Sequence, residues 1–109
     1  MTSENLKSME LSQKQKSDIE DLAGIGYNFK KIAMYLDMAV FMIEAEFRNP
    51  DSEFRYHYDR GILLKEAERD KQLSEASKNG SVSALQELEK KLKNHKLDDL
   101  RYDILNGTK

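Results

Sequence analysis

Apolar positions recur along this chain at intervals of three and four residues, in six stretches separated by turn-forming residues. That spacing returns to one face of a 3.6-residue helix, so it predicts helix throughout. Residues 1–11 show no sustained period and read as a flexible tail. Ser12 and Gln15 then form an S-x-x-Q capping pattern ahead of a first helix over 13–23, with Ile19 and Leu22 inward. Gly24 or Gly26 ends it, because either can take left-handed backbone at a helix C-terminus. A second helix starts after Asn28, a natural cap, and carries Ile32, Ala33 and Leu36 on one face until Asp37 breaks it. A third, over 39–47, turns Val40, Ile43 and Phe47 inward.

Asn49-Pro50-Asp51-Ser52 is the clearest punctuation, since proline disfavours helix in the residue before it and Asp51 or Ser52 can cap the next helix. That fourth, long helix spans 53–78 and stops at Asn79-Gly80. Phe54, Tyr58, Ile62, Leu73 and Ala76 fall on one side of it, and Tyr56, Leu63, Leu64 and Ala67 largely on the other. A helix apolar on two sides cannot bury both against one small core, so the second side is expected to meet a partner chain. A fifth helix over 82–94, capped by Ser81 or Ser83, sets Val82, Leu85, Leu88 and Leu92 in a stripe. A sixth, over 97–105, repeats the pattern with Leu97, Leu100, Ile104 and Leu105, and Gly107 ends it. The expected organisation is all-α: a tail over 1–11, a three-helix head over 12–49, a helical hairpin and oligomerisation region over 50–105, and a short tail over 106–109.

Composition supports this picture. Only two valines (Val40, Val82) and two threonines (Thr2, Thr108) are present, so a sheet lacks its usual β-branched material. Charged residues make up 35% of the 109 residues, in keeping with long solvated helices. Cysteine is absent, which excludes disulfides and thiolate metal sites. The polar first twenty residues contain no apolar signal core, and the longest apolar run, 38–43, is too short to span a bilayer. A cytoplasmic location and no membrane partner are expected. Lysine and arginine number 6 against 8 acidic residues in 1–50, and 12 against 12 in 51–109. Neither half is a basic domain, which weighs against tight autonomous binding to nucleic acid.

Residues 12–48 have the pattern of a helix-turn-helix, which needs a small residue where two steeply crossing helices touch. Ala33 meets that need, with Ile32 and Leu36 below it and Val40 and Ile43 answering from the next helix. The turn position often held by glycine is Asp37, a residue that tolerates left-handed backbone. At this point the chain resembles the small terminase subunits of tailed phages and prophages. The residues that carry the resemblance are Leu22-Ala23-Gly24-Ile25-Gly26-Tyr27 with Lys31-Ile32-Ala33-x-x-Leu36, then Phe54-x-x-x-Tyr58-x-x-Gly61 and the run from Ser74 through Lys78-Asn79-Gly80 to Leu85. It covers roughly residues 12–95. The resemblance implies a non-catalytic subunit, phage or prophage encoded, that works in the bacterial host cytoplasm. Such a subunit binds DNA, assembles into a ring-like homo-oligomer, and passes DNA to a separate large terminase subunit.

The third helix departs from a base-reading one. Its outward positions are Ala39, Phe41, Met42, Glu44 and Glu46, without the arginine, asparagine or glutamine that base edges require. Candidate DNA contacts are therefore phosphate contacts, from Lys14, Lys16, Lys30, Lys31 and Arg48, each weak alone and useful in an oligomer through avidity. The basic cluster Lys90, Lys91, Lys93, His95 and Lys96 reads as a complement to a helix dipole. Candidate oligomer contacts are Phe41, Met42, Tyr56, Leu63, Leu64 and Ala67.

No catalytic constellation can be assembled. His57 and His95 lack ligand-spaced partners for zinc, and Tyr56-His57-Tyr58-Asp59 points in four directions on a helix. Asp98, Asp99 and Asp103 read as an acidic helix start. Gly24-Ile25-Gly26 lacks the strand and third glycine of a dinucleotide loop, and no Walker motif occurs. No enzyme activity, cofactor or metal is expected. Two further readings stay open: a dimeric helix-turn-helix transcription regulator, and a helical protein-interaction module without nucleic-acid binding.

Overall fold

A computed structural model of the chain describes residues 9–106. Among them there are five helices and no strand: α1 (Gln13–Gly24), α2 (Phe29–Tyr35), α3 (Val40–Arg48), α4 (Glu53–Lys78) and α5 (Val82–Leu105). The fold is all-α, a helix-turn-helix head followed by a long helix that turns back in a hairpin. By packing, the chain divides into two compact units, residues 1–66 and 67–109. The head thus includes the first part of α4 and does not end at Pro50.

Local chemistry explains each boundary of the first unit. The Ser12 hydroxyl accepts from the Gln15 amide at 3.1 Å, and the Gln15 side chain accepts from the Ser12 amide at 2.9 Å, closing the capping box at the start of α1. α1 ends with Gly26 at φ 101° and the Tyr27 amide donating to the Leu22 carbonyl at 3.0 Å, so the left-handed residue is Gly26. Asn28 caps α2 through the Lys31 amide at 3.0 Å. Asp37 turns the chain with φ 59°, the one described non-glycine residue in the left-handed region.

The head core gathers Leu11, Ile19, Ala23, Ile32, Ala33, Ile43 and Phe54, with Leu22, Leu36, Val40, Phe47 and Tyr58 packed against it. Phe54, Ile19, Ile32 and Ile43 are fully enclosed. Each such side chain contributes about 1.5–3 kcal/mol from burial. Ala33 sits at the α2–α3 crossing with no exposed surface, the role its size predicts. Phe47 stacks on Phe29 and meets Tyr58 edge-on, joining α2, α3 and α4 through aromatic contacts.

Several expectations change here. Of the expected N-terminal tail, residues 1–8 lie outside the described residues, whereas Leu11 is buried in the core and Met9 packs on it. The Met9 and Leu11 amides donate to the carboxylates of Glu46 and Glu53. Glu46 is therefore turned toward the N-terminal segment and does not belong to the outward face of α3. Ile62, placed inward by its spacing, is exposed. The helix crossing next to it is made by backbone, because a Cβ on Gly61 would overlap the Glu20 main chain and one on Gly24 would lie 3.0 Å from the Gly61 carbonyl.

In the second unit, α4 ends in Gly80 at φ 99°, with the Ser81 amide donating to the Ala76 carbonyl at 3.0 Å, and Ser81 caps α5 through the Ala84 amide at 3.1 Å. The expected fifth and sixth helices are one. Asn94-His95-Lys96 holds neither glycine nor proline, so nothing interrupts the hydrogen-bond ladder. Of the expected leucine stripe on α5 only Leu88 is half-buried, whereas Val82, Leu85 and Leu92 are exposed; buried Ala84 lies on the same face as Leu88, and Lys91 reaches Asp70 at 3.0 Å. The expected C-terminal tail over 106–109 is described only at Asn106, which caps α5; residues 107–109 lie outside the described residues. No helix among the described residues is long and apolar enough to cross a membrane.

Candidate nucleic-acid interface

The α2–turn–α3 unit presents α3 outward, with Ile43 as its fully buried anchor. Phe41 is 74% exposed and Met42 46%, so both present apolar surface to solvent. One turn on, Glu44 accepts from Arg48 at 2.6 Å along the helix. The outward surface of the would-be reading helix is thus apolar at its start and charge-neutralised at its end. Apart from Arg48, which Glu44 holds, no outward side chain on it carries a donor for base edges.

The five candidate phosphate contacts separate by what holds them. Lys14 pairs with Asp18 at 3.2 Å, Arg48 with Glu44, and Lys16 lies 3.8 Å from Glu53 with only 24% of its side chain exposed. Lys16 is a strap between α1 and the start of α4, and its stem is packed away from solvent. Lys30 and Lys31 are exposed on the first turn of α2, and among the described residues they form no ion pair. Lys31 instead lies over the Tyr27 ring, 5.5 Å from its centre, which leaves its charge available.

The joint that fixes α3 against α4 is polar and closed. Ser52, 1% exposed, donates from its hydroxyl to the Glu46 carbonyl at 2.6 Å and accepts from the Arg55 amide at 3.0 Å. Ser52, and not Asp51, is the cap of α4; Asp51 is held by Asn49 in the preceding turn. Arg55 lies over the Phe47 ring and donates to the Phe47 carbonyl and to Asp59. These bonds fix the first turns of α4 against the end of α3.

On α4, Tyr56 and Leu63 are each 60% exposed, Leu64 is exposed, and Ala67 is half-buried. The expected oligomer face is unpartnered within the head. Sequence spacing did not reveal a polar cluster that adjoins this face. Glu20 of α1 accepts from His57 Nδ1 at 2.6 Å and from Arg60 at 2.8 Å, with 15% of its side chain exposed. Burial raises the Glu20 carboxyl most strongly among single influences, but the hydrogen bonds and charges of His57 and Arg60 together outweigh it. The net result holds Glu20 below its ordinary value. These partners lie 37 and 40 residues from Glu20, so no local pattern announces them. The cluster is a clasp between α1 and α4.

Asp98, Asp99 and Asp103 do not converge: Asp99 faces His95 at 3.3 Å and Asp98 faces Arg101 at 3.7 Å, all exposed. Among the described residues no group of three histidines or carboxylates is placed to hold a metal ion. Comparison with protein families, with curated proteins and with solved structures finds no match for this chain.

Proposed function

We propose that this protein is a non-catalytic, self-associating DNA adaptor of the terminase small-subunit kind, in which many copies hold DNA through phosphates. The observation that carries the reading is the pairing of a helix-turn-helix head with an α4 face, Tyr56, Leu63 and Leu64, left in solvent. Large apolar side chains in such a row are expected to be covered by another subunit. Lys30 and Lys31 supply the phosphate contacts, since the other candidate cations are paired within the chain. Two lysines per copy bind weakly, and repetition around an assembly raises the retention of one DNA duplex. Passing DNA to a large terminase subunit is implied by the resemblance alone.

Light scattering coupled to size exclusion, followed by DNA retention at graded salt, tests the reading. A defined oligomer is expected, with retention that falls steeply as salt rises and is reduced by Lys30→Glu/Lys31→Glu. A monomer at micromolar concentration overturns it.

Exposed Phe41 and Met42 favour one competing reading, a protein-interaction module without nucleic-acid binding. An oligomer whose weak DNA retention ignores the lysine substitutions selects that reading instead.

A further inference from the structure

α5 carries two apolar stripes out of register. Leu85, Leu88 and Leu92 lie on one line; a step of five residues then rotates the next line, Leu97, Leu100 and Ile104, well over a quarter turn around the helix. The side that meets α4 is marked by buried Ala84 and by Lys91 bonded to Asp70, with half-buried Leu88 between them at the edge of the first line. Continued along the helix, that side runs through His95, Asp98 and Tyr102. The second leucine line lies nearly opposite, and Leu97, Leu100 and Ile104 are 43%, 55% and 69% exposed. On α5 these three side chains therefore lie on the side away from Ala84 and Lys91 and are open to solvent.

The charges beside this line name its occupant. With Leu97, Leu100 and Ile104 as the seam of a heptad pattern, Lys96 and Asp103 occupy the same flank seven residues apart. In an antiparallel pair of identical helices that flank meets itself, so Lys96 of each copy faces Asp103 of the other, twice by symmetry. Leu97 then packs opposite Leu100 of the second copy, and the aliphatic stem of Lys93 covers Ile104. A parallel pair would instead set Lys96 against Arg101, a like-charge contact. Among the described residues neither Lys96 nor Asp103 is engaged by an ion pair.

We propose that the C-terminal half of α5 is an isologous dimer surface, which pairs antiparallel with α5 of a second copy through Leu97, Leu100 and Ile104 and two Lys96–Asp103 contacts. It rests on the self-association proposed above but assigns a second face and a two-fold symmetry, separate from the α4 row. Two apolar faces on different helices let one copy contact more than one neighbour.

Sedimentation of the full chain in a Leu63→Glu background, which disables the α4 face, tests it. A concentration-dependent dimer is expected there. Lys96→Glu alone and Asp103→Lys alone should each weaken it on the order of ten-fold, because both symmetric contacts become repulsive. The double variant Lys96→Glu/Asp103→Lys should restore it, as should an equimolar mixture of the two single variants. A Leu63→Glu monomer, from a wild type that assembles, overturns the α5 surface and leaves the α4 reading standing. A dimer indifferent to the charge changes, or not restored by the double variant, also overturns it. A wild-type monomer overturns both.

Discussion

At Gly61 the α4 backbone touches the α1 backbone with no room for a side chain. A methyl group there would meet the Glu20 main chain, which cannot swing aside as the end of a flexible side chain could. Gly61→Ala is expected to destabilise the head by about 1–3 kcal/mol, the cost of forcing packed elements apart, as read by urea denaturation. The same contact brings the Glu20 carboxylate to His57 and Arg60. Because the folded state holds the Glu20 carboxyl below its unfolded value, its contribution is fully present above the ordinary carboxylate range. It is lost as pH falls through the lowered value. The stability difference between wild type and Glu20→Gln should thus be largest near neutrality and shrink on acidification. A difference that grows toward low pH would contradict this assignment.

Each helix of the head begins or ends on a device only a few residues long, and the α3–α4 joint depends most on one side chain. Ser52 both caps α4 and anchors the last turn of α3. Ser52→Ala is expected to cost about 1–2 kcal/mol, since it removes the α4 cap and one of the two hydrogen bonds to the Glu46 carbonyl, and differential scanning calorimetry would read the loss. Asp51→Ala, which touches neither bond, should be close to neutral by the same measurement. α5 shows the opposite case. Its continuity rests on the absence of a breaker between Leu92 and Leu97, and the five-residue step shifts the apolar line without stopping the helix.

For the whole molecule, the distribution of unpaired groups is what bears on function. α3 turns Phe41 and Met42 outward where a sequence-specific DNA reader would carry polar side chains, while Lys30 and Lys31 stay without carboxylate partners among the described residues. DNA retention by the assembly is therefore expected to be indifferent to sequence. Its logarithm should fall linearly with the logarithm of salt concentration, with a shallower slope for Lys30→Glu/Lys31→Glu. Filter binding across unrelated duplexes at several salt concentrations checks both points; a strong preference for one duplex would contradict them.

Helix content, the capping box at Ser12, the cap at Asn28, the small residue at Ala33 and the break at Pro50 are short-range properties, and the chain's own order of residues determined them. Each depends on atoms within about one helical turn, where spacing and chemistry act directly. The exposure of Phe41 and Met42 on α3 and of Tyr56, Leu63 and Leu64 on α4 follows the spacing, but Glu46 and Ile62 depart from it. What only the tertiary structure decided depends on residues far apart in the chain: the burial of Leu11, the inward turn of Glu46, the Gly61 contact with Glu20, and the clasp of Glu20 with His57 and Arg60. The face of α5 that meets α4 belongs here as well. Leucine spacing drew one stripe through Val82, Leu85, Leu88 and Leu92, whereas the hairpin buries Ala84, half-buries Leu88 and leaves the other three exposed. A period shows that a helix has an apolar side, but the partner's position decides which side is covered, and that position is a property of the whole fold.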